Sequence, residues 1–166
     1  MLQNLIRYCI AAFALGFAVT ACTADGGRQA PVAAMSASFG LFFLDEGPSA
    51  KLAYGQANSD NVGLMLECAK GSRLVKVTDV VRSNPAPMLT LISAGKTSEL
   101  KTAVEAGPGA SIYTASAPAG SPALTGFRSS GKMEVSYAGL RYGIAAKPNE
   151  RMGIEKFFSA CEGRKA

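Results

Sequence analysis

Short apolar stretches, separated by turn-forming residues about every eight to twelve positions, run through most of the chain. In residues 73–81 the side chains alternate in polarity, and one set is Val75, Val77 and Asp79, which indicates a strand with one buried face. The predicted strands are 39–44, 51–54, 62–68, 73–81, 88–93, 98–106, 111–116, 132–137 and 140–144. Short strands without a long helical period between them predict an α+β fold that is mainly β, an antiparallel sandwich or open barrel.

Two helices interrupt this pattern. Ser121 followed by Pro122 is typical of a helix start, and Gly131 ends the short helix that we expect there. A final helix is predicted after Asn149, which we expect to cap it, with Glu150 near its positive end. Its apolar residues recur at helical spacing and predict one buried stripe that faces the sheet: Ile154, Phe157, Phe158 and Cys161.

The first 21 residues have the pattern of an export signal. A short start carrying Arg7 precedes the apolar run 8–19, and small residues follow. A run of about a dozen residues is too short to span a bilayer comfortably, which argues against a permanent transmembrane helix. The alternative for this segment is a buried core helix.

The four residues Val19-Thr20-Ala21-Cys22 resemble the lipobox of bacterial lipoproteins. The resemblance implies cleavage before Cys22, a diacylglycerol on its sulfur and an acyl chain on its new amino group, an anchor that is close to permanent. Thr23 stands where an Asp would favour the inner membrane, so the resemblance implies the periplasmic side of the outer membrane. The alternative is ordinary cleavage after Ala21 or Ala24, which gives a soluble secreted or periplasmic protein.

The lipobox divides the chain into a signal (1–21), a lipidated cysteine with a tether (22–36) and one β-rich domain (37–166). The tether is small, polar and without periodicity, and as a flexible coil it would span on the order of 20 Å. Of the 4 cysteines, Cys9 leaves with the signal and Cys22 takes the lipid. We therefore predict a structural disulfide between Cys68 and Cys161 in an oxidising compartment.

Composition and charge exclude several functions. The chain contains 0 histidines, which removes Ser-His-Asp and Cys-His catalysis and imidazole metal sites. Its net charge of +5 comes from scattered basic residues without interleaved aromatic ones, so we expect no nucleic-acid partner. We expect no metal and no cofactor.

Ser93 with Lys96 and Ser129 with Lys132 both match the spacing S-x-x-K. This spacing brings the lysine amine to the serine hydroxyl when the segment is helical. Each pair has a glycine before the lysine and lies at a predicted turn, so we expect neither lysine to reach its serine. The sequence therefore predicts no catalytic residues and a protein that is not an enzyme.

The stretch 136–142 resembles the Ser-x-Ser-Gly-x-Arg-Tyr loop of the small lipoprotein inhibitors of C-type lysozyme, although Ala138 replaces the second serine. The resemblance implies that Ser136 and Tyr142, with Arg141 less directly, contact a partner enzyme. The order of elements, ending in Phe-Phe-x-x-Cys, also resembles small envelope proteins of alphaproteobacteria, some of them similar to the invasion-associated locus B group. That second resemblance implies no site.

These observations predict a lipid-anchored cell-envelope protein whose domain has a non-catalytic binding or structural role. Its partners would be the membrane, through the N-terminal lipid, and an envelope protein or glycan that the sequence does not identify. The alternative is a periplasmic inhibitor of a wall-degrading enzyme such as C-type lysozyme.

Overall fold

Strands make up most of the fold. The computed structural model describes residues 33–34, 38–81, 87–107 and 110–164. The strands are β1 Ala33–Ala34, β2 Phe39–Glu46, β3 Ser49–Gln56, β4 Val62–Ala69, β5 Leu74–Val81, β6 Met88–Ser93, β7 Lys96–Lys101, β8 Ala103–Gly107, β9 Ala110–Pro118, β10 Lys132–Tyr137 and β11 Leu140–Ala145. The helices are α1 Pro122–Ser130 and α2 Arg151–Cys161, and a 3-10 turn, Pro148–Glu150, precedes α2. The predicted signal, Cys22 and all of the predicted tether except Ala33 and Ala34 lie outside these residues.

The strands form two sheets. The six-stranded sheet has the order β2-β3-β4-β5-β9-β8 and is antiparallel throughout. The five-stranded sheet has the order β1-β11-β10-β6-β7, and its pairs are antiparallel except for β1, which adds in parallel to β11. The predicted α+β fold, mainly β and built from antiparallel sheets, is confirmed. Both sheets and both helices contribute side chains to one apolar core.

One predicted strand is wrong, because the segment 98–106 belongs to two strands in different sheets. β7 ends at Lys101 in the five-stranded sheet, and β8 begins at Ala103 in the six-stranded one. Neither glycine nor proline marks the crossing at Thr102, and the described side chains of β8 are all exposed. No turn-forming residue in the sequence therefore marks the change of sheet.

Helix α1 begins and ends at the predicted residues, but its start is capped differently. Gly131 ends the helix with a φ of 69°, and its N–H donates to the carbonyl of Phe127 at 2.7 Å. Ser121 stands at the N-cap position without a side-chain capping bond. Instead, the hydroxyl of Ser98 on β7 accepts from the N–H of Ala123 at 3.1 Å, which ties the helix start to the sheet.

The predicted cap of the last helix is wrong. Asn149 lies inside the 3-10 turn, and α2 begins at Arg151. The carboxylate of Glu150 accepts from the N–H of Lys147 at 2.9 Å, so it satisfies a donor of the 3-10 turn. The predicted buried stripe of α2 is confirmed: Ile154, Phe157, Phe158 and Cys161 are all buried.

The predicted disulfide is also confirmed. Cys68 at the end of β4 is bonded to Cys161 at the end of α2, with their Cα atoms 5.6 Å apart and a sequence separation of 93. Both cysteines belong to the apolar core. The bridge therefore holds the C-terminal helix against the six-stranded sheet.

Candidate functional site

The edge strands differ in how well they are protected against pairing with another chain. β7 exposes Lys96, Glu99 and Lys101, and charged side chains are a common protection of sheet edges. β1 has 2 residues and β8 has 5, so both offer short edges. β2 has 8 residues with the sequence FGLFFLDE, and six of these carry neither charge nor proline. It is the long, apolar edge of the described sheets.

One side of β2 has backbone groups without a backbone partner. Every residue of β2 is in register with β3, from Phe39 opposite Gln56 to Glu46 opposite Ser49. On the other side, no described residue forms a backbone hydrogen bond to this strand, although the ammonium of Lys147 donates to the carbonyl of Phe39 at 3.2 Å. Unpaired N–H and C=O groups in a row are a template for another strand.

A groove runs along this edge, between β2 and helix α2. It consists of two cavities of about 380 and about 480 Å³. We call it the β2–α2 groove; its lining includes Leu41, Phe42, Phe43 and Asp45 on the strand, Met152, Gly153, Lys156 and Ala160 on the helix, and Lys70 and Arg164 at one end. The two walls approach closely at Gly153, where a Cβ atom would lie 3.3 Å from the Cβ of Phe43. Glycine at this position therefore lets the helix lie beside the strand.

Apolar side chains lie on both walls of the groove, next to the polar residues Asp45, Asn149, Glu150 and Lys156. Phe42 and the neighbouring Leu44 lie on the outer face of the sheet with 38% and 42% of their surface exposed, and Met152 on the helix is 65% exposed. Phe43 faces the core and is half-buried. Exposed apolar side chains that lie next to each other, rather than singly, are typical of a binding surface.

The charges at the groove are unevenly paired. The ammonium of Lys70 lies 2.6 Å from a carboxylate oxygen of Asp45, and this hydrogen bond lowers the pKa of Asp45 from its ordinary value. Arg164 is paired with Glu162. Lys156 is exposed on α2 and makes no ion pair with a described residue. Glu150, which also lines the groove, lies 3.7 Å from the ammonium of Lys147. Among the described charges of the groove, Lys156 is therefore the cation that is available for a negatively charged group.

A second unusual feature is the buried carboxyl group of Asp79, which is 2% exposed. It lies on β5 and accepts a hydrogen bond of 2.8 Å from the hydroxyl of Tyr142 on β11, so the bond joins the two sheets. Burial raises the pKa of Asp79 to about 7, against the opposite effects of the Tyr142 hydroxyl and the N–H of Val80. Burial and the charge of Asp79 in turn raise the pKa of Tyr142.

Aromatic rings surround this pair. Tyr113 is opposite Asp79 in the register of β5 and β9, and its ring centroid lies 5.5 Å from that of Tyr137. Tyr137 in turn lies 6.4 Å from Tyr142. Because the carboxyl is enclosed by the core, we interpret it as a pH-sensitive structural tie rather than a group that acts on a ligand. The sequence signal for this site was that a charged residue, Asp79, belongs to the same alternating set as Val75 and Val77.

The three residues that resemble the lysozyme-inhibitor loop do not share one surface. Ser136 on β10 is opposite Arg141 on β11, and both are half-buried on the face of the hairpin that is turned away from the core. Arg141 forms an ion pair with Glu134 on the same face. Tyr142 points the other way, into the core and toward Asp79. Insertion of Tyr142 into an enzyme cleft would first require the ring to leave the core.

The predicted turn is found between Ser93 and Lys96, whereas Ser129 lies in the last turn of helix α1 and Lys132 begins β10 after Gly131. Ser93 ends β6 and is buried, whereas Lys96 begins β7 and is exposed. The hydroxyl of Ser93 lies 3.2 Å from that of Ser130 and donates to the carbonyl of Lys132. The hydroxyl of Ser129 donates to the carbonyl of Gly126 at 2.9 Å. These hydroxyl groups serve backbone and turn contacts in the described structure.

In the part of the chain that the structure describes, no three or more His, Cys, Asp or Glu side chains form a group that could hold a metal ion. Within the same residues, no helix has the length and apolar character needed to cross a membrane. Comparison with known proteins finds no matching family model, no matching curated protein and no matching solved structure.

Proposed function

We propose that this protein is anchored to the periplasmic side of the outer membrane by a lipid on Cys22, and that its β-rich domain binds a partner without catalysis. The observation that carries the binding part is the long, apolar and unpaired edge of β2 beside α2. A strand edge of this kind is a liability in an isolated soluble domain, and proteins that keep one commonly use it for recognition.

The disulfide supports the export part of the proposal. Disulfides form and persist in oxidising compartments such as the periplasm and are rare in the cytosol. Cys68 and Cys161 are bonded to each other inside the core. This pairing leaves Cys22, in the motif Val19-Thr20-Ala21-Cys22, available for the lipid that the lipobox resemblance implies.

Metabolic labelling with radioactive palmitate in a bacterial host tests the anchor. The wild-type protein should incorporate label and partition with membranes, whereas Cys22→Ser should be unlabelled. Cys9→Ser is the matched control, because it also replaces a cysteine of the N-terminal segment but leaves the lipobox residues intact, and it should label like the wild type. Equal labelling of Cys22→Ser and the wild type would reject the anchor.

Inhibition of a wall-degrading enzyme is the second candidate, favoured by the position of Ser136 opposite Arg141 on one face of the β10–β11 hairpin. The soluble domain should then slow C-type lysozyme at micromolar concentrations, and Arg141→Ala should weaken this inhibition. Lys132→Ala, an exposed change at the other end of β10, is the control. Full lysozyme activity in the presence of the wild-type domain would reject this candidate.

A further inference from the structure

We propose that the β2–α2 groove binds an extended segment of a partner protein, which adds to the six-stranded sheet as a strand next to β2 and carries at least one acidic side chain. This inference rests on the proposed function, because it specifies the partner of the same binding surface. The surface lies wholly within the described residues.

The backbone of β2 has unpaired hydrogen-bonding groups along one side. In an antiparallel pair, each residue directs its N–H and C=O to the same side, and successive residues alternate between the two sides. About half of the backbone groups of Phe39–Glu46 therefore point away from β3, where no described backbone group meets them. An extended segment satisfies such groups without requiring any particular side chain.

Apolar side chains flank the open edge of β2 on both faces of the sheet. Alternate residues of an added strand would point to opposite faces of the sheet. Those on the outer face would lie next to Phe42 and Leu44, and those on the inner face would lie against Phe43 and the exposed side of α2. Phe42, Leu44 and Phe43 are apolar, so most residues of the segment should be apolar or β-branched.

The charge of Lys156 determines which charged side chain the segment should carry. On the helix wall, Lys156 has no ion-pair partner among the described residues. An acidic side chain that faces α2 would meet this ammonium group, whereas a basic one would be repelled. The inner face of the added strand should therefore carry Asp or Glu near its centre.

A second copy of this chain fits the groove less well. The acidic residues that its β2 would bring are already paired, Asp45 with Lys70 at 2.6 Å and Glu46 with Lys51 at 2.7 Å. Pairing of two β2 strands would also bring both α2 helices, each with its Lys156, next to the interface between the two copies. A separate acidic segment avoids this repulsion between like charges.

Fluorescence anisotropy with synthetic peptides tests the proposal on the soluble disulfide-bonded domain. The probe is a capped peptide as long as β2, built of alternating valine and threonine with two adjacent aspartates at its centre, so that one of them faces α2 in either orientation. We expect saturable binding with a Kd below about 1 mM. The same peptide with lysines in place of the aspartates should bind at least about fivefold more weakly.

Charge reversal provides the matched variants. Lys156→Glu should weaken binding of the aspartate peptide by about fivefold and strengthen binding of the lysine peptide. Lys96→Glu makes the same change in charge at an exposed position on β7 and should leave both affinities unchanged. Because Lys156 and Lys96 are both exposed, the two variants should melt like the wild type, which checks that the fold is retained.

Backbone N-methylation at alternate residues of the peptide removes every second N–H donor. One of the two possible sets of alternate residues contains the N–H groups that face β2, and methylation of that set should abolish binding. The proposal is overturned if binding does not saturate up to about 1 mM, or if the two peptides bind with equal affinity. An unchanged affinity in Lys156→Glu, or full binding of both N-methylated peptides, would overturn it as well. It is also overturned if sedimentation shows a dimer that Leu44→Lys dissociates, since the edge then pairs with a second copy. If the peptide experiment fails but palmitate labelling is normal, the acidic partner strand is rejected and the lipid anchor on Cys22 is retained.

Discussion

The backbone N–H of Gly71, in the turn between β4 and β5, donates a hydrogen bond of 2.9 Å to the carbonyl of Ala160 near the end of α2. The N–H of Arg73 likewise donates to the carbonyl of Cys161 at 2.9 Å. The last carbonyls of a helix lack partners within the helix, so this turn caps α2 from outside. A Cβ atom on Gly163 would lie 3.3 Å from the Cα of Gly71, which shows how closely the turn and the helix end approach.

Removal of the disulfide should therefore destabilise the domain without releasing α2 from the sheet. In the chain-entropy model, a loop closed across a separation of 93 residues contributes about 4 to 5 kcal/mol. The double variant Cys68→Ser, Cys161→Ser should lose free energy of unfolding of this order in denaturant titrations, yet keep the hydrogen bonds of the Gly71 turn. Non-reducing peptide mapping should find the two cysteines joined in the exported wild type. Free thiols at both positions would contradict the assignment.

The aromatic stripe of α2 should carry much of the stability. Phe157 and Phe158 are 0% and 1% exposed and stack edge to face with centroids 5.3 Å apart. Phe157→Ala or Phe158→Ala should cost about 3 to 5 kcal/mol and lower the melting temperature by about 10 °C or more. The neighbouring Lys156→Ala, on the exposed face, should melt like the wild type. Equal melting of all three variants would mean that α2 does not pack as described.

Asp79 should make the stability depend on pH in an unusual direction. Its folded-state pKa is raised from 3.8 to about 7, so the folded state binds the proton more tightly than the unfolded chain does. Stability from this group is fully present below about pH 4 and is lost as the pH rises through about 7. The difference between the two pKa values corresponds to about 4 kcal/mol.

Asp79→Asn isolates this contribution, because the amide stays neutral at every pH and can still accept from Tyr142. The free energy of unfolding of the wild type, relative to this variant, should fall between about pH 4 and pH 7 and level off above that, as measured by denaturant titrations. The comparison at each pH cancels the effect of exposed acids such as Asp45 and Glu155, whose pKa values are lowered by Lys70 and Arg128. A wild type that gains stability relative to Asp79→Asn over this range would contradict a raised pKa.

Local patterns predicted the parts of the fold in which one face is buried. The helical spacing from Ile154 to Cys161 identified both the stripe of α2 and the cysteine that reaches the sheet. Gly131 ended α1 as predicted, because only a residue that tolerates a positive φ fits that position easily. The disulfide partner of Cys161 was found by elimination, because Cys9 and Cys22 were assigned to the signal and the lipid and only Cys68 remained.

Relationships between distant segments were not predictable in this way. The cap of α1 comes from Ser98, which is 25 residues away from Ala123 along the chain. The change of sheet at Thr102 is marked by neither glycine nor proline, and the edge position of β2 depends on the order of all six strands. The groove could therefore not be found from the sequence, because no local pattern in β2 or α2 indicates that a groove separates the two elements.

The central claim is that one edge of β2 is open to a partner strand, and residue-resolved amide hydrogen exchange on the monomeric domain tests it directly. Every second amide of Phe39–Glu46 should be protected by β3, and the amides between them should exchange rapidly. The control is β3, Ser49–Gln56, which pairs with β2 on one side and β4 on the other, so that its amides should be protected along the strand. Uniform protection of β2 at the level of β3 would show that the edge is already covered and would contradict the account.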